Sequence, residues 1–146
     1  MKINISLSNH QQYRYAMVNR PIGISCQPKE GMVGGEDRPA RGHAHYDMAR
    51  NGVAVYNRRL TDHETKQFEM AHMVDGADRE EYADQVIEEM GEYAPRYAQL
   101  AAKRPDEFEG HVFDKLKSGS KGYPPSVGDR KLFAQLVLKR IAQNEN

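Results

Sequence analysis

The chain has no tryptophan, a single cysteine and no apolar run long enough to cross a membrane. Because Cys26 has no second cysteine to pair with, an intramolecular disulfide is excluded and a reducing compartment is favoured. A bilayer span needs about 20 consecutive apolar residues, and no basic N-terminal stretch precedes the apolar core of a secretory signal. These absences predict a cytoplasmic protein with no membrane association.

The length and composition predict a single domain over residues 1–146. Domains commonly hold about 100–150 residues, and this chain of 146 residues has only four phenylalanines, so tyrosine and methionine must fill much of a modest core. Strand and loop signals dominate 1–59, whereas helical signals dominate 60–146. This segregation predicts an α+β fold, in which a small, mostly antiparallel sheet from the N-terminal half is packed by three to five helices from the C-terminal half.

Positive and negative charges balance over the whole chain but not along it. The net charge is +5 in residues 1–59, −9 in 60–110 and +4 in 111–146. A general nucleic-acid binder normally has a strongly basic domain, and a mimic of DNA would be acidic throughout. Separate basic and acidic regions favour a protein partner over nucleic acid, or an attraction between the two halves.

Short apolar runs predict the strands of the N-terminal half. Residues 2–7 alternate apolar and polar side chains, 13–18 are rich in strand formers, and 21–26 begin with a proline that suits the start of a strand. The 53–56 run follows an Asn-Gly turn signal. Two prolines and four glycines in 27–42 predict an irregular loop.

Capping signals and apolar periodicity predict the helices of the C-terminal half. Thr61 and Glu64 fit a capping box that opens a helix running to about Met73. Further helices are predicted from Asp78, after Pro95 and from Pro105. A second capping box at 126–129 is predicted to open the last helix, which has the clearest amphipathic pattern.

Residues 31–64 concentrate five glycines, three histidines and five arginines, a density typical of a functional loop. Arginine and tyrosine are favoured at the centres of protein interfaces. Within residues 38–59, here called the arginine–tyrosine segment, the predicted partner-binding residues are Arg38, Arg41, Tyr46, Arg50, Tyr56, Arg58 and Arg59. The acidic helix around 78–92 is a second possible contact face.

The same region allows an alternative site for a divalent metal ion. On an extended backbone, His43, His45 and Asp47 project to one side, and their imidazoles and carboxylate suit zinc, iron or manganese. This pattern leaves open a metal-dependent phosphoester hydrolase. The competing interpretation is that these are polar loop residues without a cofactor.

Two further alternatives involve anions. Gly31, Gly34, Gly35 and Gly42, with the neighbouring arginines, could surround a phosphate with backbone N–H groups, although no P-loop or dinucleotide motif is present. Alternating arginines and tyrosines are also typical of surfaces that bind single-stranded nucleic acid. A mobile surface loop is the simpler interpretation of the glycines.

Two segments resemble those of small accessory proteins from phages, prophages and plasmids, of the anti-restriction or anti-CRISPR kind. They are RPARGHAHYDMARNGVAVYNRRLTDHE at 38–64 and KGYPPSVGDRKLF at 121–133. The resemblance implies a stoichiometric inhibitor or adaptor of a host defence system and assigns no catalytic residue. The leading hypothesis is therefore a non-enzymatic protein-binding module without a cofactor.

Overall fold

The computed structural model describes residues 11–144, which form two compact units. Unit 1 comprises residues 11–73 together with Lys121–Ser126, and unit 2 comprises Val74–Ser120 together with 127–144. Unit 1 holds the four strands of the described chain and one helix, and unit 2 holds four helices. This content confirms the predicted α+β class. The strand predicted at 2–7 lies outside the described residues.

The strands of unit 1 form one antiparallel sheet. They are β1 (Tyr13–Met17), β2 (Met32–Glu36), β3 (Val53–Tyr56) and β4 (Met70–His72). Their spatial order is β2-β3-β1-β4, and each neighbouring pair is antiparallel. The β1 and β3 strands therefore occupy the centre, and β2 forms an edge. The predictions of β1 and β3 are confirmed.

Both faces of this sheet carry buried apolar side chains, because successive residues of a strand point to opposite faces. One face holds Tyr15, Met17, Ala54, Tyr56 and Met70, which cluster with Leu60. The other face holds Ala16, Val53, Val55 and Ala71, which cluster with Val18, Ala49 and Met73. Since both faces are covered, all four residues of β3 are apolar and buried, whereas β1 is interrupted by Arg14.

Two predictions in the first 42 residues are wrong. Residues 21–26 form turns instead of a strand, because Ser25 has a positive φ of 66° that breaks the extended path. The loop predicted at 27–42 contains β2, whose Gly34 and Gly35 pair with Val55 and Ala54. Pairing with a central strand here outweighs the low strand propensity of glycine.

The capping box predicted at Thr61 is confirmed. The Thr61 side chain accepts a hydrogen bond from the Glu64 backbone, and the Glu64 carboxylate accepts one from the Thr61 backbone. Helix α1 spans Asp62–Phe68 and is shorter than predicted, because Glu69 adopts a left-handed conformation with φ of 54°. The next residues leave the helix and pair with β1 as β4.

The helices of unit 2 pack around their own apolar core. They are α2 (Gly76–Met90), α3 (Ala94–Lys103), α4 (Pro105–Gly119) and α5 (Arg130–Asn144), with a 3₁₀ turn at Gly91–Tyr93. Their fully buried side chains include Val86, Val112, Phe133 and Val137. In the described chain, no helix is both long and apolar enough to cross a membrane.

The last helix begins differently from the prediction. Asp129 caps α5, since its carboxylate accepts hydrogen bonds from the backbone of Lys131 and Leu132 at 3.0 and 3.1 Å. Ser126, the predicted first member of a capping box, belongs to unit 1 instead. There it forms an isolated parallel bridge with Met73.

Candidate partner-binding site

The first part of the arginine–tyrosine segment lies in the connection from β2 to β3, residues 37–52, which follows a series of tight turns. Backbone hydrogen bonds from His43 to Ala40, from Tyr46 to His43 and from Ala49 to His45 are all 3.0 Å long. Residues 43–47 are therefore not extended, which was the condition for the alternative metal site. His43, His45 and Asp47 do not project from one side of a strand.

The end of this connection is fixed to the sheet. Ala49 is fully buried in the apolar cluster of one sheet face. The Asn51 backbone donates to the Met17 carbonyl at 3.0 Å, and its side chain donates to the Val18 carbonyl at 3.1 Å. Gly52 continues the turn with φ of 105°, a conformation that favours glycine. The exposed residues of the connection are thus presented from a rigid base.

His45 is a structural residue of unit 1. It is 3% exposed, and its Nδ1 lies 2.7 Å from the Ser126 hydroxyl oxygen. Its backbone N–H donates to the Nδ1 atom of His43 at 3.1 Å. Ser126 is also held by its backbone, which donates to the His72 carbonyl at 2.8 Å. The pair joins the 43–47 turns to the 121–126 segment.

The predicted ligand set of a metal ion is not assembled in this arrangement. Between residues 11 and 144, no group of three or more histidine, cysteine, aspartate or glutamate side chains is placed to hold a metal ion. His45 is turned into the core towards Ser126, whereas His43 and Asp47 are exposed. The glycines of the predicted phosphate loop are also dispersed, because two of them belong to β2.

Arg38 and Tyr46 form a stacked pair on the surface of the segment. The guanidinium carbon of Arg38 lies 3.6 Å from the centre of the Tyr46 ring. The Nε atom of Arg38 donates to the Tyr46 carbonyl at 3.0 Å. Stacking and the hydrogen bond together fix the plane of the guanidinium group while Arg38 remains exposed.

Arg50 is hydrogen-bonded to the carbonyl of Asp47, the residue after Tyr46. Its Nε atom donates to the carbonyl of Asp47 at 3.2 Å, and its side chain is exposed. Arg41 lies in the same connection and is also exposed. Of the predicted contact residues, Arg38, Arg41, Tyr46 and Arg50 are therefore brought into one connection between two strands.

Tyr56 and Arg58 have structural roles instead. Tyr56 is completely buried, and its hydroxyl donates to the Pro28 carbonyl at 2.6 Å. Burial raises the pKa of Tyr56 to about 12. The structure thus removes Tyr56 from the surface on which a partner would be bound.

Arg58 is engaged in a two-pronged ion pair with Glu64. Its two terminal nitrogens lie 2.8 and 2.7 Å from the carboxylate oxygens, and its Nε atom donates to the Glu30 carbonyl at 2.9 Å. Hydrogen bonding from Arg58 and from the Thr61 backbone lowers the pKa of Glu64 to about 2. Arg58 therefore ties the end of β3 to the start of α1. Arg59 is exposed.

The sequence interpretation missed the residues that hold the 121–126 segment in unit 1. The Thr65 hydroxyl oxygen accepts a hydrogen bond from the Tyr123 backbone at 3.1 Å. Gly122 lies so close to α1 that a β-carbon there would be 2.6 Å from the Asp62 carbonyl oxygen. The Pro124-Pro125 pair was a usable signal, because two prolines favour an extended path next to Ser126.

Comparisons with known proteins relate the chain to phage anti-restriction proteins. The sequence model of the family described as Defence against restriction A C-terminal matches residues 10–75. The chain is also 32% identical over 132 residues to the Defense against restriction protein A of Escherichia phage P1. The match covers 86% of this chain and 20% of that protein, so the chain spans about a fifth of its curated relative. These findings confirm the predicted resemblance.

No solved structure matches the chain. The family match ends at residue 75, close to the end of β4, and so includes the sheet, α1 and the arginine–tyrosine segment. The 121–126 segment of unit 1 lies outside it. The similarity to the phage P1 protein is longer than unit 1 alone and therefore includes part of unit 2.

Proposed function

We propose that this chain is a non-enzymatic protein-binding module that acts against host restriction. The observation that carries the proposal is the similarity of residues 10–75 to the Defence against restriction A C-terminal family. The phage P1 relative supports the same role, although this chain corresponds to only 20% of that protein. Its partner would be a protein of the host restriction machinery, met in the cytoplasm.

The accessibility of the side chains supports binding more than catalysis. Ser126 and His45 have the atoms of a nucleophile and a base, but they are 5% and 3% exposed. A substrate would reach neither without opening the core of unit 1. The exposed groups of the candidate site are arginines held by carbonyls and by Tyr46, which suit recognition of a partner.

A plating experiment tests the anti-restriction role. A test phage carrying the coding sequence is plated on isogenic hosts with and without a restriction system, next to the same phage without it. We expect the coding sequence to raise plating about tenfold or more on the restricting host and to leave it unchanged on the other host. Equal plating of both phages on the restricting host would contradict the proposal.

The protein-binding mechanism is tested by capture of the purified restriction enzyme on the immobilised chain. Retention that survives nuclease treatment supports a direct protein contact. A complex that forms only with DNA, and whose affinity falls steeply with salt, would instead indicate a nucleic-acid binder. A stability increase on adding zinc or manganese would revive the metal-dependent alternative.

A further inference from the structure

Three arginines of the arginine–tyrosine segment differ from most other arginines of the described chain. Seven other arginines form ion pairs with carboxylates, namely Arg14, Arg20, Arg58, Arg79, Arg104, Arg130 and Arg140. Within residues 11–144, no ion pair involves Arg38, Arg41 or Arg50. Arginines without carboxylate partners are thus concentrated between β2 and β3.

Two of these arginines are anchored at consecutive carbonyl groups. The Nε atom of Arg38 is bonded to the Tyr46 carbonyl and that of Arg50 to the Asp47 carbonyl. Consecutive residues are only about 3.8 Å apart along the backbone. The chain therefore brings two guanidinium groups to adjacent anchoring points although their charges repel each other.

Part of this arrangement has a structural purpose. Residues 45–49 close one helical turn, and arginines commonly cap the free carbonyls at the end of such a turn. Capping uses only the Nε atom of each arginine here, however. The two terminal nitrogens of each guanidinium group stay available, and these form the planar fork that matches a carboxylate.

We infer that Arg38 and Arg50, supported by Arg41, bind paired carboxylates on an acidic segment of the protein partner. The inference rests on the proposed function and narrows its contact surface to this cluster, here called the arginine clamp. Tyr46 holds one guanidinium plane in place before binding, which reduces the entropy lost on association. Tyr56 and Arg58 are outside the clamp, because both are committed to contacts within unit 1.

The surroundings of the clamp favour an acidic peptide over a phosphate backbone. Asp37 and Asp47 are exposed beside it and interrupt the positive charge. Binding to a nucleic-acid backbone usually draws on about six to ten phosphate contacts, whereas the clamp has three arginines. A short stretch with two or three carboxylates fits that number.

The test measures binding of a short fluorescein-labelled peptide of alternating aspartate, glutamate and glycine, by fluorescence anisotropy at low salt. The full chain is compared with the double variant Arg38→Glu/Arg50→Glu. We expect this variant to lose about tenfold or more in affinity, because repulsion replaces charge-assisted hydrogen bonds. Unchanged affinity, or no binding of the peptide by the full chain, would overturn the inference.

Two further variants distinguish the effect of guanidinium geometry on peptide binding from the effect of positive charge alone. Arg38→Lys/Arg50→Lys keeps both charges and loses the planar forks, so we expect it to weaken peptide binding about threefold to tenfold. Arg96→Glu changes an exposed arginine in unit 2, 5.9 Å from the centre of the Tyr93 ring, and should leave binding unchanged. No loss in Arg38→Lys/Arg50→Lys together with a loss in Arg96→Glu would show that only net charge matters and would overturn the clamp.

An oligonucleotide of equal charge completes the test. If it binds more tightly than the peptide and loses affinity in Arg38→Glu/Arg50→Glu, the clamp recognises phosphate and the inference is wrong. Plating separates this result from the proposed function. If Arg38→Glu/Arg50→Glu binds no peptide but still protects the phage, the clamp is overturned and the anti-restriction role stands. If the unsubstituted chain binds the peptide but does not protect the phage, the anti-restriction role alone is overturned.

Discussion

His45 and Ser126 are 81 positions apart in the chain, yet the Nδ1 of one and the hydroxyl oxygen of the other lie 2.7 Å apart in the core of unit 1. Neither side chain is more than 5% exposed. A buried polar atom that has no hydrogen-bond partner destabilises the folded protein by the full free energy of its desolvation. The pair therefore stabilises the turns on which the arginine clamp is built.

Replacing Ser126 by alanine should destabilise unit 1. His45 Nδ1 would lose this hydrogen-bond partner while remaining buried, at an expected cost of about 1–3 kcal/mol in the free energy of unfolding. The change in the free energy of unfolding is measured by urea unfolding, and hydrogen exchange of the β1 and β4 amides assigns it to unit 1. Ser118→Ala, at an exposed position of α4, is the control and should change stability by less than about 0.5 kcal/mol. A Ser126→Ala protein as stable as the control would contradict the assigned role.

The Glu64 carboxylate predicts a specific loss of stability in acid. Its pKa is lowered from the ordinary value of 4.5 to about 2 in the folded protein. Because the folded value is the lower one, the stabilisation is fully present above about pH 4.5 and is lost as the pH falls towards 2. Glu64→Gln should cost about 2 kcal/mol at neutral pH and flatten this part of the stability profile.

The control for Glu64→Gln is Glu92→Gln, which removes the same charge at an exposed site in the 3₁₀ turn. Its profile between pH 2 and 5 should keep the acid-dependent loss of the unsubstituted chain. If Glu64→Gln shows the same loss as well, the Arg58–Glu64 pair is not its source.

Two glycine substitutions should act in opposite directions. A β-carbon at Gly122 would collide with the Thr65 hydroxyl and lie 2.6 Å from the Asp62 carbonyl oxygen, so Gly122→Ala should destabilise unit 1 by about 1–3 kcal/mol. Gly110 lies within α4 with nothing within 4 Å of its added β-carbon. Gly110→Ala should therefore stabilise unit 2 by about 0.5–1 kcal/mol. Thermal unfolding of both variants checks the signs, and a stabilising Gly122→Ala would disprove the close approach.

Tyr56 should be late to ionise in alkali. Burial raises its pKa from 10.0 to about 12, and an ultraviolet absorbance titration should show a late phase that disappears in Tyr56→Phe. The folded value is the higher one, so the contribution of Tyr56 to stability is lost between about pH 10 and 12. Tyr93→Phe, at a residue 54% exposed, should leave the late phase in place. If the late absorbance phase is still present in Tyr56→Phe, another tyrosine is its source and the prediction is wrong.

Features set by neighbouring residues were predictable from the sequence. The capping box joins Thr61 to Glu64 within one turn, and β3 follows its own turn signal, so both carry local signatures. By contrast, β2 and β4 depend on pairing with β3 and β1, which outweighs the glycines of one and the helical pattern of the other. The residues next to β2 and β4 in the sequence do not indicate which strands they will pair with.

The candidate site shows the same division. Arginine and tyrosine content drew attention to residues 38–59, but the separation of exposed Arg38 and Arg50 from buried Tyr56 required the three-dimensional structure. The use of His45 as a partner of Ser126 had no local signal, because four helices lie between the two residues in the sequence. Charge patterns alone do not distinguish a paired arginine from an unpaired one.

The 121–126 segment has a consequence for the order in which the chain folds during synthesis. Unit 1 is interrupted in sequence, since its closing segment is made only after roughly 50 further residues have been added. At ribosomal rates of about 5–20 residues per second, this delay lasts about 3–10 s. During that interval the nascent sheet has neither Ser126 nor Tyr123 to complete it. A chaperone or protease could therefore bind unit 1 for several seconds before His45 forms its hydrogen bond with Ser126.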